Sequence, residues 1–91
     1  MARYRITNGA KKAVIEVSGR NEWTLDNLVR CGKAGCTPID EPAPRWAAYV
    51  HKLRKLGVRI QTIRERHGGR FPGRHARYVL LSTVRQVRHD A

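Results

Sequence analysis

The chain has 91 residues, 19 of them Lys or Arg against 7 Asp or Glu, for a formal net charge of +12. That length allows one small domain with a core just large enough to fold by itself, and no apolar run approaches the roughly 20 residues of a membrane span. A charge so far from neutral directs attention to polyanionic partners.

The opening stretch MARYRITNGAKK lacks the apolar region of a secretory signal, so a cytoplasmic, nucleoid-associated location is expected. Tyr4 and Ile6, then Asn8-Gly9, then Ala13, Ile15 and Val17 predict a β-hairpin with a type I′ turn, an extension over residues 1–20. Its sheet has two options, packing on the first helix or pairing at the edge of the wing. Thr24 suits a helix N-cap, with Trp23 before it stapling to Leu28, and Leu25, Leu28 and Val29 form a stripe ending near Gly32 to Gly35. Thr37-Pro38 is a second cap and first-turn pair, opening a short second helix through Ile39, Asp40 and Glu41 that Pro42 stops. The Ala43-Pro44 step turns the chain into a third helix, because a residue before proline leaves the α region.

That third helix, residues 44–56, is the best specified. Trp46, Tyr49, Val50, Leu53 and Leu56 share one face of a 3.6-residue period, and Gly57 suits the left-handed cap, with Val58 folding back on Leu53. The opposite side carries Arg45, Ala48, His51, Lys52, Arg54 and Lys55 and no acid. Beyond Gly57 the period becomes two: Val58, Ile60 and Thr62 alternate with Arg59 and Gln61, and Ala76, Tyr78 and Leu80 alternate with Arg77, Val79 and Leu81. Between these strands a glycine-rich connection from Arg64 to His75 holds Arg64, Arg66, Arg70 and Arg74, with His67 and His75 interleaved and Glu65 as the sole acid. Residues 83–91, with Val84 and Val87 among arginines, form a short extension or basic C-terminal tail.

Three helices followed by a hairpin wing over residues 21–82 define an α+β winged helix-turn-helix, with the N-terminal β-hairpin added to it. Residues 1–44 hold seven Lys or Arg against five acids, whereas residues 45–91 hold twelve against two, so the positive charge sits on the third helix and the wing. Phosphate neutralisation gives such a surface affinity for any nucleic acid, while sequence preference must come from side chains meeting base edges in the major groove. Arg45, Ala48, His51 and Lys52 are the candidates for that role, with Lys55 reaching the backbone. Arg64, Arg66, His67, Arg70, Arg74, His75 and Arg77 of the wing, residues 64–77, would hold the backbone or minor groove.

The segment from residue 19 to 80 resembles the small winged helix domain proteins of bacterial and phage genomes. The resemblance rests on Ala-Pro-Arg-Trp at 43–46, Tyr49 to Leu53 with Leu56-Gly57, and His67-Gly68-Gly69 through Gly73-Arg74-His75-Ala76-Arg77-Tyr78. It implies a DNA-binding winged helix-turn-helix and supplies neither a target site nor a regulated process.

The leading expectation is a double-stranded DNA-binding protein, a small transcriptional regulator or a mobile-element accessory factor such as an excisionase. An RNA-binding module and a module docking an acidic protein are the alternatives, and a homodimer on DNA is left open. No catalytic set emerges, since Asp40-Glu41 is explained by a helix N-terminus and no serine or cysteine has an evident base. Cys31 and Cys36 fit small reduced side chains rather than a metal site, which would need two more ligands at suitable spacing, so neither metal nor cofactor is expected.

Overall fold

The structure is a computed structural model that describes residues 2–43, 45–70 and 72–87. Its elements in chain order are β1 (Ala2–Asn8), β2 (Lys11–Val17), α1 (Gly19–Cys31), a 3-10 turn at Gly32–Ala34, α2 (Trp46–Lys55), β3 (Ile60–His67), β4 (Gly73–Leu80) and β5 (Thr83–Val87). No described helix is long and apolar enough to cross a membrane.

β1 and β2 form the predicted N-terminal hairpin, Tyr4 opposite Ile15 and Ile6 opposite Ala13. Its two-residue turn is Gly9-Ala10, one position later than expected, and only Gly9 has positive φ, at 62°. Positive φ at the first central residue alone is the signature of a II′ turn, which replaces the expected I′. β1 also pairs with β5 along its other edge, giving the order β2-β1-β5. Residues 83–87, expected within a tail, are thus a strand; residues 88–91 lie outside the described residues. Alternation puts Tyr4, Ile6, Ile15 and Val17 inward, all buried with Leu25 and Leu28 of α1.

α1 begins at Gly19 rather than after Thr24, which is buried inside the helix with its hydroxyl donating to the Arg20 carbonyl at 2.7 Å. A threonine satisfied four residues back is compatible with a helix interior, so the cap signal was misplaced. Trp23, expected to lie outside the helix, is within it. Its ring lies 5.6 Å from Trp46, which stacks on Tyr78 at 5.7 Å and donates its indole N–H to the Glu41 carbonyl at 2.7 Å. Val29 is exposed rather than part of the buried stripe.

The second helix is a correction as well: the described residues hold two α-helices, and residues 37–41 make one turn instead of a third. The cap chemistry is nevertheless present. Thr37 Oγ1 accepts from the Asp40 amide at 3.0 Å and the Glu41 amide bonds the Thr37 carbonyl at 2.9 Å. With Pro42 following, no further turn can be added. Just before it, Cys36 exchanges two backbone hydrogen bonds with Tyr78, both 2.8 Å, tying the α1–α2 connection to β4.

α2 buries Trp46, Val50 and Leu53, leaves Tyr49 half-buried and Leu56 exposed, and ends as expected: Gly57 has φ 104° and the Val58 amide reaches the Leu53 carbonyl at 3.1 Å. Pro44 of the expected helix start lies outside the described residues. Arg45, the N-cap, takes a left-handed conformation with φ 67°.

Candidate nucleic-acid interface

α2 presents Arg45, Ala47, His51, Lys52 and Lys55 to solvent, with no acid among them. Ala48, expected among the base-reading residues, is half-buried and lies three or four positions from Arg45, His51 and Lys52 on the helix surface. Arg54 is committed elsewhere. Its guanidinium donates to the Ile60 carbonyl at 2.7 Å and to Thr62 Oγ1 at 2.8 Å, fastening the end of α2 to the base of the β3–β4 hairpin.

The hairpin extends further than its sequence suggests. The connection expected from Arg64 to His75 is mostly paired strand, with Arg64 opposite Ala76, Glu65 opposite His75, Arg66 opposite Arg74 and His67 opposite Gly73. Alternation sorts the wing into two faces. One continues outward from buried Ile60, Ala76 and Tyr78 through Thr62 to exposed Arg64, Arg66 and Arg74, so its base is the point that Arg54 touches. Arg70 is exposed beyond the strands.

The second face carries a network that sequence reasoning missed. Glu65 receives Arg77 Nε at 3.0 Å on each oxygen and approaches His75 Nε2 at 2.8 Å, while His75 Nδ1 lies 2.9 Å from His67 Nδ1. At the other end Arg77 Nη1 donates to the Ala34 carbonyl at 2.8 Å. Arg77 in the first place, and His75 after it, hold the Glu65 carboxyl below the ordinary carboxylate range, and Glu65 in turn raises Arg77. Three residues expected to meet phosphate, His67, His75 and Arg77, thus brace the wing against itself. The available clue was register: Glu65, His75 and Arg77 share a face once the strands are extended to His67 and Gly73.

Arg45, His51, Lys52 and Lys55 on α2 and Arg64, Arg66 and Arg74 on the wing are therefore the sequence-predicted residues left exposed on connected elements. Among the described residues no group of three His, Cys, Asp or Glu side chains is placed to hold a metal. Cys36 is buried, its thiol pushed up by that burial and then by the neighbouring Cys31 thiol, and its Sγ donates to the Asn27 carbonyl at 3.2 Å.

Comparison with known proteins returns one family. A model described as a winged helix domain matches residues 14–90, most of the chain. Neither a curated protein nor a solved structure matches the chain.

Proposed function

We propose, from the premise that the chain belongs to the winged helix domain family, that it is a sequence-reading double-stranded DNA-binding protein. Winged helix domains are in general DNA-binding modules. α2 enters the major groove, where Arg45, His51 and Lys52 meet base edges, Ala48 contributes a small apolar surface and Lys55 reaches the backbone. The wing follows the backbone or minor groove through Arg64, Arg66 and Arg74, with Arg70 beyond the strands and the His67, His75, Glu65 and Arg77 network keeping the hairpin stiff. The protein acts at the nucleoid as a small regulator or a mobile-element accessory factor, without a catalytic step.

The observation carrying this reading is the Arg54 clasp onto Ile60 and Thr62. It links an acid-free basic helix face to a basic wing face, so the two cationic surfaces meet a ligand together. Charge alone would attract any polyanion, whereas a helix and wing held in fixed relation match the form of a duplex.

Selection of bound fragments from genomic DNA at low and moderate salt tests it. A short motif surviving the higher salt is expected, and its half-site spacing distinguishes a monomer from a homodimer. Arg45→Ala or His51→Ala should lose preference for that motif, while Arg66→Ala should weaken cognate and random duplexes alike. Equal losses on both duplexes from the α2 variants would refute the base-reading assignment. Retention of structured RNA or an acidic protein in place of duplex DNA would refute the reading as a whole.

A further inference from the structure

The outer face of the β2-β1-β5 sheet has a charge pattern that folding alone does not favour. Three cross-strand rows stand on it: Glu16, Arg3 and Val87; Val14, Arg5 and Arg85; Lys12, Thr7 and Thr83. In the first row Arg3 is neutralised by Glu16 at 2.9 Å. In the second, Arg5 and Arg85 stand directly opposite each other, both exposed, and neither has a charged or hydrogen-bonding side-chain partner among the described residues. Directly opposed like charges destabilise a strand pair, so this row is unfavourable for the isolated sheet. Lys12, diagonal to Arg5 and likewise exposed, adds a third cation within about 8 Å, measured between Cβ atoms, and Thr7 and Thr83 supply hydroxyls beside them.

We propose that this face is a second nucleic-acid contact, in which Arg5, Arg85 and Lys12 hold a phosphodiester backbone with Thr7 and Thr83 as hydrogen-bonding neighbours. A phosphate between the two guanidiniums turns their repulsion into two charge-assisted interactions, and hydroxyls commonly bond phosphate oxygens. No aromatic side chain stands in the three rows, so bases have nothing to stack on and the contact is to the backbone, without sequence preference. An acidic protein fits less well. The only apolar residues are Val14 and Val87, on opposite edge strands with β1 between them, which leaves no continuous seam for a partner's side chains. The ligand class rests on the DNA-binding reading above, but the surface uses no residue of α2 or the wing.

Titration of the full chain, labelled with nitrogen-15, with a short random-sequence duplex at low salt separates the two. Shifts are expected at the Thr7 and Thr83 amides and the Arg5 and Arg85 side-chain N–H groups. They should exceed those at Lys33, an exposed cation in the 3-10 turn that reports diffuse attraction. Shifts in both α2 and the sheet support both readings, and shifts in α2 with none above the Lys33 baseline in the sheet overturn this proposal alone. Shifts in the sheet with α2 silent support this proposal and overturn the helix reading, and a silent spectrum overturns both. As a second measurement, Arg5→Gln with Arg85→Gln should reduce the log-log salt slope of random-duplex binding by about one, at roughly 0.9 for the phosphate they share. An unchanged slope would refute the contact.

Discussion

Gly35 sits at φ 78° with the Tyr78 carbonyl oxygen 2.8 Å from where a Cβ would stand, and with Arg77 Cγ and Val79 Cγ2 at 2.9 Å. Two of those three atoms belong to side chains of β4 and one to its backbone, so little can yield without moving the strand. Gly35→Ala should therefore lower the urea midpoint with an unchanged m-value, the left-handed backbone alone costing roughly 1–3 kcal/mol of stability. Glu65 makes a different kind of test. Because Arg77 and then His75 bond its charged form, its folded pKa is lowered. Its contribution to the wing is complete above the ordinary carboxylate range and is lost as pH falls through the lowered folded value. Acid titration followed at the Glu65 side-chain carbon should show a midpoint below the ordinary carboxylate range, and Arg77→Gln should raise it toward that range. A midpoint within the ordinary range in the unaltered protein would refute the bracing role. At this scale the sequence displayed Glu65 as a lone acid among arginines, and only the extended register shows which cations it holds.

Among the elements, α2 was specified by spacing and by both of its flanks, and the Gly57–Val58 ending follows the expected geometry. The neighbouring segments were harder for identifiable reasons. Thr24 carries the chemistry of a cap yet bonds the preceding turn, and the Thr37 cap forms but governs only one turn before Pro42. The wing strands ran on through residues whose arginines, histidines and glycines suggest a loop, because cross-strand side-chain bonds stabilise the pairing there. The basic face of α2 was visible from periodicity, whereas the Arg54 clasp was not, since it depends on where a strand eight residues later comes to lie. Arg54→Met keeps much of the aliphatic stem and removes the clasp. Amide exchange of Ile60 to Thr62 should accelerate relative to the sheet core, while α2 itself stays protected; unchanged exchange would show that the clasp does not order the hairpin base.

Over the whole molecule, 51 Å along its longest axis and 20 Å along its shortest, a small core is helped by stitches between distant parts of the chain. Asn8 donates to the Gly57 carbonyl at 2.9 Å, Ser82 Oγ bonds the Asn8 side chain, and the Arg59 amide reaches Ser82 Oγ at 2.8 Å. Ending the chain after Ser82 would leave these bonds but strip β5 from β1. Loss of stability of a few kcal/mol is expected, at roughly 1 kcal/mol for each ladder hydrogen bond removed. A melting temperature equal to that of the full chain would mean that β5 adds nothing. Composition and hydropathy gave no warning of this strand, because its arginines and short length match a tail equally well.

β1 is the middle strand of its sheet, with one neighbour supplied at once by the hairpin and the other from the far end of the sequence; even the Ser82–Asn8 bond joins residues 74 apart. During synthesis, β1 and β2 can zip together early, but the free edge of β1 has no mate until β5 has been made. Until then its unpaired backbone amides and carbonyls offer a template to any other extended segment, including the β5 of a second, finished chain. Productive folding of this small protein is thus a matter of timing, and crowded, rapid expression should favour exchanged strands over monomers.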